Sequence, residues 1–273
     1  MRQLVVILTA AALTGCTSTV LTEPIVHASP YLALYQLRGD TQLQSTSTPA
    51  GAPPSGAPTS LETFGHGRSR EDVGLRVDIG DGFGGLRVDY YKLDMNTAAS
   101  GQLQSDWGEL RAADLVSIYA EMDEVRLGYL EPLLDVSTKW RAQDLRVRAG
   151  AGGVFAVRDM KLRGRESTGA RAQSADLRGD VAYIALRARA AWRNLSLDLD
   201  YAFAPEAFVV GGEIKGLSQD FEALLSYQLP QGDMRLFAGY RYSELASSGD
   251  VDGLSFENDL VIDGFQLGVL VTL

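Results

Sequence analysis

Along NLSLDLDYAF, residues 194–203, apolar and polar positions alternate without a break. Leu195, Leu197, Leu199, Tyr201 and Phe203 fall on one side, and Ser196, Asp198, Asp200 and Ala202 on the other. A period of two over this length predicts a strand with two unlike faces. The same code recurs along the chain. VGLRVDIG sets Val73, Leu75, Val77 and Ile79 against Gly74, Arg76, Asp78 and Gly80. A short glycine-rich turn then leads into GLRVDYYKLDM, which repeats the wording Leu-Arg-Val-Asp and predicts a hairpin.

Continued along the chain, the pattern predicts about ten strands: 31–44, 72–80, 84–96, 109–131, 141–163, 176–192, 195–207, 215–229, 233–246 and 258–273. The segment 109–131 reads as one long bulged strand, as two short ones, or from its composition as a helix. Taken as one strand, it lets the connections alternate between two classes. Short turns fall at 80–84, 193–194 and 230–232, with a longer one near 132–140. Long polar connections fall at 45–71, 97–108, 164–175, 208–214 and 247–257. Short periplasmic turns and longer external loops are the asymmetry of an outer-membrane barrel, and an even strand number puts both termini on the periplasmic side.

Alternation alone does not say which face is wet. Three features predict that the leucines meet lipid and the charges point inward. Large charged residues share the polar face with glycine, as in Arg146, Arg148, Gly150 and Gly152, or Arg235, Gly239 and Arg241. Glycine weakens a strand centre, and a crowded lumen gives it a use. The last strand carries an apolar stripe of Phe265, Leu267, Val269, Val271 and Leu273. Aromatic residues on the apolar face (Tyr201, Phe203, Tyr227, Tyr240 and Tyr242) sit near strand ends, where an interfacial girdle would place them.

The chain resembles a small bacterial outer-membrane β-barrel, over roughly residues 31–273. Its ending, MRLFAGYRYSEL followed by DGLSFENDLVIDGFQLGVLVTL, is similar to the last hairpin of that broad class. The resemblance implies an all-β fold: a single up-and-down antiparallel transmembrane barrel in the outer membrane. One departure is the final residue, Leu273, where the class usually ends in an aromatic residue.

Composition sharpens this picture. The 273 residues carry a net charge of −10, which argues against a nucleic-acid partner; outer-membrane lipids are the partner that the resemblance implies. The N-terminus, MRQLVVILTAAALTGC, has a positive start, an apolar run and small residues before the only cysteine. Its end resembles a bacterial lipobox, so residues 1–15 are expected to be a signal peptide and Cys16 the lipidated residue. Residues 16–30 read as a tether, and the Ser/Thr/Pro/Ala/Gly-rich stretch at about 45–70 as a disordered loop.

Candidate chemistry is sparse. The two histidines, His27 and His66, fall in the tether and the expected loop, so neither is placed as a rigid general base. No His/Cys cluster suggests zinc, and neither a cofactor nor an enzyme is expected. GDVDGLSFEND gathers Asp250, Asp252, Ser255, Glu257 and Asp259 without the full ligand pattern of a calcium loop. KLRGRESTGAR gathers Lys161, Arg163, Arg165 and Arg171, able to meet lipid phosphates.

The main candidate is the polar face itself. Arg76, Asp78, Arg87, Asp89, Arg146, Arg148, Arg187, Arg189, Asp198, Asp200, Glu222, Arg235 and Arg241 are expected to form a lumen charge network. Buried charges must be paired, and a barrel of about ten strands is close to the size that side chains fill. The expected function is a structural or surface-interaction barrel. The alternatives are a narrow channel for small solutes, or a soluble periplasmic lipoprotein barrel binding a lipid-like ligand in an apolar core.

Overall fold

A computed structural model describes residues 25–45, 57–95, 99–204, 209–212, 218–230, 233–251 and 253–273. The signal segment, Cys16 and most of the expected tether lie outside the described residues. Among the described residues, thirteen strands form one antiparallel sheet. Ten of them close into a ring: β1 (Ile25–Ser45), β3 (Arg70–Gly80), β4 (Gly85–Met95), β6 (Leu115–Trp140), β7 (Gln143–Glu166), β8 (Ala172–Trp192), β9 (Leu195–Ala204), β11 (Ser218–Gln228), β12 (Met234–Val251) and β13 (Leu254–Thr272). Each pairs with the next, and β13 pairs back onto β1 from His27↔Thr272 to Ser45↔Leu254. Closure leaves no unpaired edge around the wall, a condition for strands in lipid. The remaining strands, β2 (Thr59–Ser60), β5 (Gly101–Gln102) and β10 (Val209–Gly212), pair onto β1, β6 and β8 at the end carrying the long connections.

Several boundaries differ from the pattern-based expectation. β1 starts at Ile25 rather than residue 31, because Ile25 to Pro30 find ladder partners on β3. The expected tether therefore stops short of residue 25. The segment 109–131 is a single strand, but it begins at Leu115 and runs on to Trp140. The expected turn at 132–140 is strand. The turn itself is Arg141-Ala142, both with positive φ (50° and 61°), the geometry that lets a two-residue connection follow the sheet twist. Arginine and alanine hide it, since this turn usually carries Asn or Gly. Pro132 sits at an irregularity between Pro132 and Leu134, where a missing N–H is tolerated. At the opposite end, the expected loop 247–257 shrinks to a tight connection between β12 and β13.

Exposure answers which face meets the surroundings. Leu197 (42%), Leu225 (53%) and Leu267 (51%) are exposed, and Leu75, Leu86, Val88, Val125, Leu127, Ile184, Leu199, Phe221, Leu236 and Phe265 join them in an outer belt. A continuous apolar belt on a charged chain marks contact with something other than water. Tyrosines fringe it towards the long loops. Tyr90 donates its hydroxyl to Asp123 (3.0 Å), Tyr201 to Gln219 (3.3 Å), Tyr240 to Asp263 (2.9 Å) and Tyr242 to Glu244 (3.3 Å). At the short-turn end, Trp140 and Trp192 meet edge to face at 5.2 Å, and Tyr227 and Tyr129 are exposed. The soluble reading, with a lipid-like ligand in an apolar core, is overturned because the apolar stripes are outside.

Candidate functional site: the filled lumen

The inside of the barrel is filled in three storeys. Lowest, at the short-turn end, the β3–β4 connection folds into the bore. The Asp81 carboxylate accepts the Phe83 and Gly84 N–H groups at 2.9 and 2.8 Å, which tightens the turn. Phe83 is almost fully buried, with the guanidiniums of Arg148 and Arg189 at 4.4 and 5.5 Å from its ring centre. Arg187 donates to the Phe83 carbonyl (2.8 Å) and Arg189 to that of Gly82 (2.6 Å). A turn held by two arginines plugs the bore.

The middle storey is ionic. Arg87 pairs with Asp78 (2.6 Å) and Asp200 (3.2 Å), Arg187 with Asp200 (2.5 Å), and Arg189 with Asp198. Arg76 bridges Asp89 (3.2 Å) and Glu222 (2.7 Å), and Gln266 donates to Glu222 at 2.6 Å. Arg241 reaches Asp220 (3.2 Å), Asp89 (3.7 Å) and Glu124 (3.5 Å). Arg126 joins Glu124 and Asp220 (2.7 Å), while Arg158 pairs with Glu124 at 2.5 Å. Two tyrosines join the network: Tyr31 donates to Asp89 (3.1 Å), and Arg158 donates to Tyr183 (3.0 Å). In the most buried part, Arg76, Arg126, Arg158 and Arg241 face Asp89, Glu124, Asp220 and Glu222, four against four. An isolated buried charge costs several kcal/mol, so this balance is what allows so many charges to be buried together.

Above it lies an apolar storey. The stretch expected as a disordered loop is instead partly folded into the barrel mouth. A 3-10 turn at Leu61–Phe64 buries both end residues completely. They pack in one cluster with Trp107, Leu110, Met95, Ile118, Leu162 and Phe256. Residues 46–56 lie outside the described residues. His66 belongs to this cap rather than to a mobile loop: its Nε2–H donates to the Ile118 carbonyl at 2.7 Å. Burial holds its imidazole below the ordinary value. His27 lies on β1, against the wall, within 3.1 Å of the Thr272 hydroxyl.

Of the thirteen residues singled out in the sequence, Arg76, Asp78, Arg87, Asp89, Arg187, Arg189, Asp198, Asp200, Glu222 and Arg241 meet in the ionic storey. Arg146, Arg148 and Arg235 do not. They stand at the short-turn mouth, where Arg146 is half exposed and pairs with Asp135 (2.5 Å), Arg148 with Asp81, and Arg235 with the Gln228 amide oxygen. Sequence reasoning missed Glu124, Arg126, Arg158 and Asp220, the heart of the network. Their parity gave a signal: Asp220 shares its face with Glu222, and Arg158 with Arg148. Elsewhere the acidic hairpin does not converge on a cation: Glu257 and Asp259 are exposed, while Asn258 between them is buried against the Thr41 hydroxyl (2.6 Å). In the basic loop, Arg171 is taken by Asp114 (2.8 Å) and Glu166 (3.3 Å).

A closed ring, an outward apolar belt and an ionic interior together decide the class. The fold is that of an outer-membrane β-barrel. Its lipid face places it in that membrane. The chain is similar in structure to the outer membrane protease OmpT of Escherichia coli, with a TM-score of 0.50 and 13% identity, over 94% of this chain and 99% of that one. It also aligns with the toluene transporter TodX of Pseudomonas putida (TM-score 0.31, 9% identity, 94% of this chain and 93% of that one). A third alignment is with Ail, the attachment invasion locus protein of Yersinia pestis (TM-score 0.26, 9% identity, 88% and 97%). At such identities the likeness to OmpT concerns the fold alone, and the other two scores carry no argument. No family model and no curated protein matches the chain.

Proposed function

We propose that this barrel is a non-conducting outer-membrane protein with a structural or surface-interaction role and no chemistry of its own. The observation that carries the reading is the filling of the bore at three successive levels: the Phe83 turn, the balanced ion network and the Leu61–Phe64–Trp107 cap. Hydrolysis needs an activated general base or nucleophile. Here both histidines are tied into the walls, His66 by Ile118 and His27 by Thr272, which supports the reading without chemistry. Outer-membrane lipids are the proposed surroundings of the belt, with Lys161, Arg163 and Arg165 on β7 placed towards the loop end to meet their phosphates.

One observation favours a narrow channel instead. Two small cavities, about 70 and 40 Å³, share the charged residues Arg76, Asp78, Arg87 and Asp200 and flank the ionic storey. Each holds a few waters at most. Purified barrel reconstituted in a planar bilayer separates the two readings. The sealed reading expects no steps for the wild type, and none after the cap residues Phe64 and Trp107 are both replaced by alanine, because the ion network and the Phe83 turn still close the bore. Regular wild-type steps would overturn it in favour of the channel.

A further inference from the structure

The three tiers of charge differ in balance. The inner cluster sets four arginines against four carboxylates, and the next tier sets Arg87, Arg187 and Arg189 against Asp78, Asp198 and Asp200. At the short-turn mouth the balance fails. Arg146, Arg148, Arg193 and Arg235 line one cavity there, and their carboxylates are Asp81 and Asp135. Both acids are already taken, by Arg148 and Arg146. Arg235 uses one N–H on Gln228, and Arg193 lies over the Trp192 ring at 4.9 Å; neither makes an ion pair among the described residues. An excess of two guanidiniums at one spot is notable on a chain of net charge −10.

The cavity encloses about 290 Å³, several times either cavity beside the network, and faces the periplasmic side. Its other polar walls are Arg189, which is paired with Asp198, and Ser196, Asn194 and Gln228. Planar guanidinium forks match tetrahedral oxyanions through paired charge-assisted hydrogen bonds, which single ammonium groups do not. We propose that the short-turn mouth is a binding site for a phosphate-type oxyanion, held chiefly by Arg193 and Arg235. Arg146 and Arg148 stand beside it with their charges already committed. The phosphate arrives on a soluble periplasmic compound or as the headgroup of an inner-leaflet phospholipid. Neither source depends on whether the barrel conducts.

The test is a calorimetric titration of the full barrel, in a maltoside detergent free of phosphate, with inorganic phosphate at fixed ionic strength in chloride. Saturable binding is expected. In R193Q/R235Q it should weaken about tenfold or more, the loss that follows from removing charge-assisted hydrogen bonds. Because neither arginine is in an ion pair, the variant should keep its heat-modifiable gel mobility. If it does not fold, R193Q alone, changed at an exposed turn, should still weaken binding several-fold. No binding beyond chloride, or unchanged affinity in the folded variants, overturns the proposal. Repeating the titration in phosphatidylcholine nanodiscs assigns the source. Loss of binding there means that a headgroup occupies the site, and persistence means a soluble ligand.

Discussion

Three guanidiniums converge on the two oxygens of Glu124, which has no solvent exposure at all. Removing that carboxylate would leave Arg158 with no ionic partner in a site it cannot leave. Breaking a buried pair by deleting one partner costs about 3–5 kcal/mol. Glu124→Gln should therefore lower the temperature at which the folded, fast-running gel band converts to the unfolded one, and a melting point equal to wild type would sink this account of the lumen. The same crowding explains one glycine on the polar face. A Cβ at Gly74 would lie 2.1 Å from Tyr31 Cζ, so the ring that bonds Asp89 occupies the space a side chain would need.

Among elements, the cap is where acidity should be felt. His66 is fully buried, its Nδ1 has no partner, and burial lowers its affinity for a proton from an ordinary pKa of 6.5. Arg70 nearby opposes protonation too, while Glu62 and the Ile118 carbonyl favour it less strongly than burial disfavours it. The unfolded cap thus binds more protons than the folded one. Its stability is complete above about pH 6.5 and declines as pH falls towards the folded pKa. Hydrogen exchange over residues 59–67, corrected for intrinsic rate, should show more opening at pH 5 than at pH 7.5. His66→Gln should abolish the difference; equal protection in wild type at both pH values would refute it.

At the scale of the whole molecule, the barrel is inside out relative to a soluble protein. Leu199 illustrates the consequence, since it is 39% exposed and sits on a strand whose next polar neighbours, Asp198 and Asp200, are paired inside. Leu199→Arg places a cation against lipid and should cost about 2–4 kcal/mol near the membrane midplane. Urea unfolding in liposomes measures this loss, and the same variant in detergent should lose less. An equal effect in both would mean that the stripe does not face lipid.

How much of this was legible in the chain depends on the range of the interaction. Period-two alternation is a local property of the backbone, so NLSLDLDYAF, VGLRVDIG and GLRVDYYKLDM announced strands, faces and the short turn between β3 and β4. Counting strands and comparing connection lengths then pointed to a ten-stranded barrel without any contact being known. The partners of the charges were not legible. Arg76 meets Glu222 across 146 residues, and Arg126 meets Asp220 across 94. Those pairings follow from ring closure and from the register of every intervening hairpin, which alternation leaves free because a shift by two residues preserves each face. The cap was hidden for a related reason: Leu61, Phe64 and Trp107 lie in stretches with no period, and they are apolar anchors only because the barrel mouth offers a cavity to fill. Local chemistry therefore determined which way each side chain points, and the closed tertiary structure alone decided what it meets there.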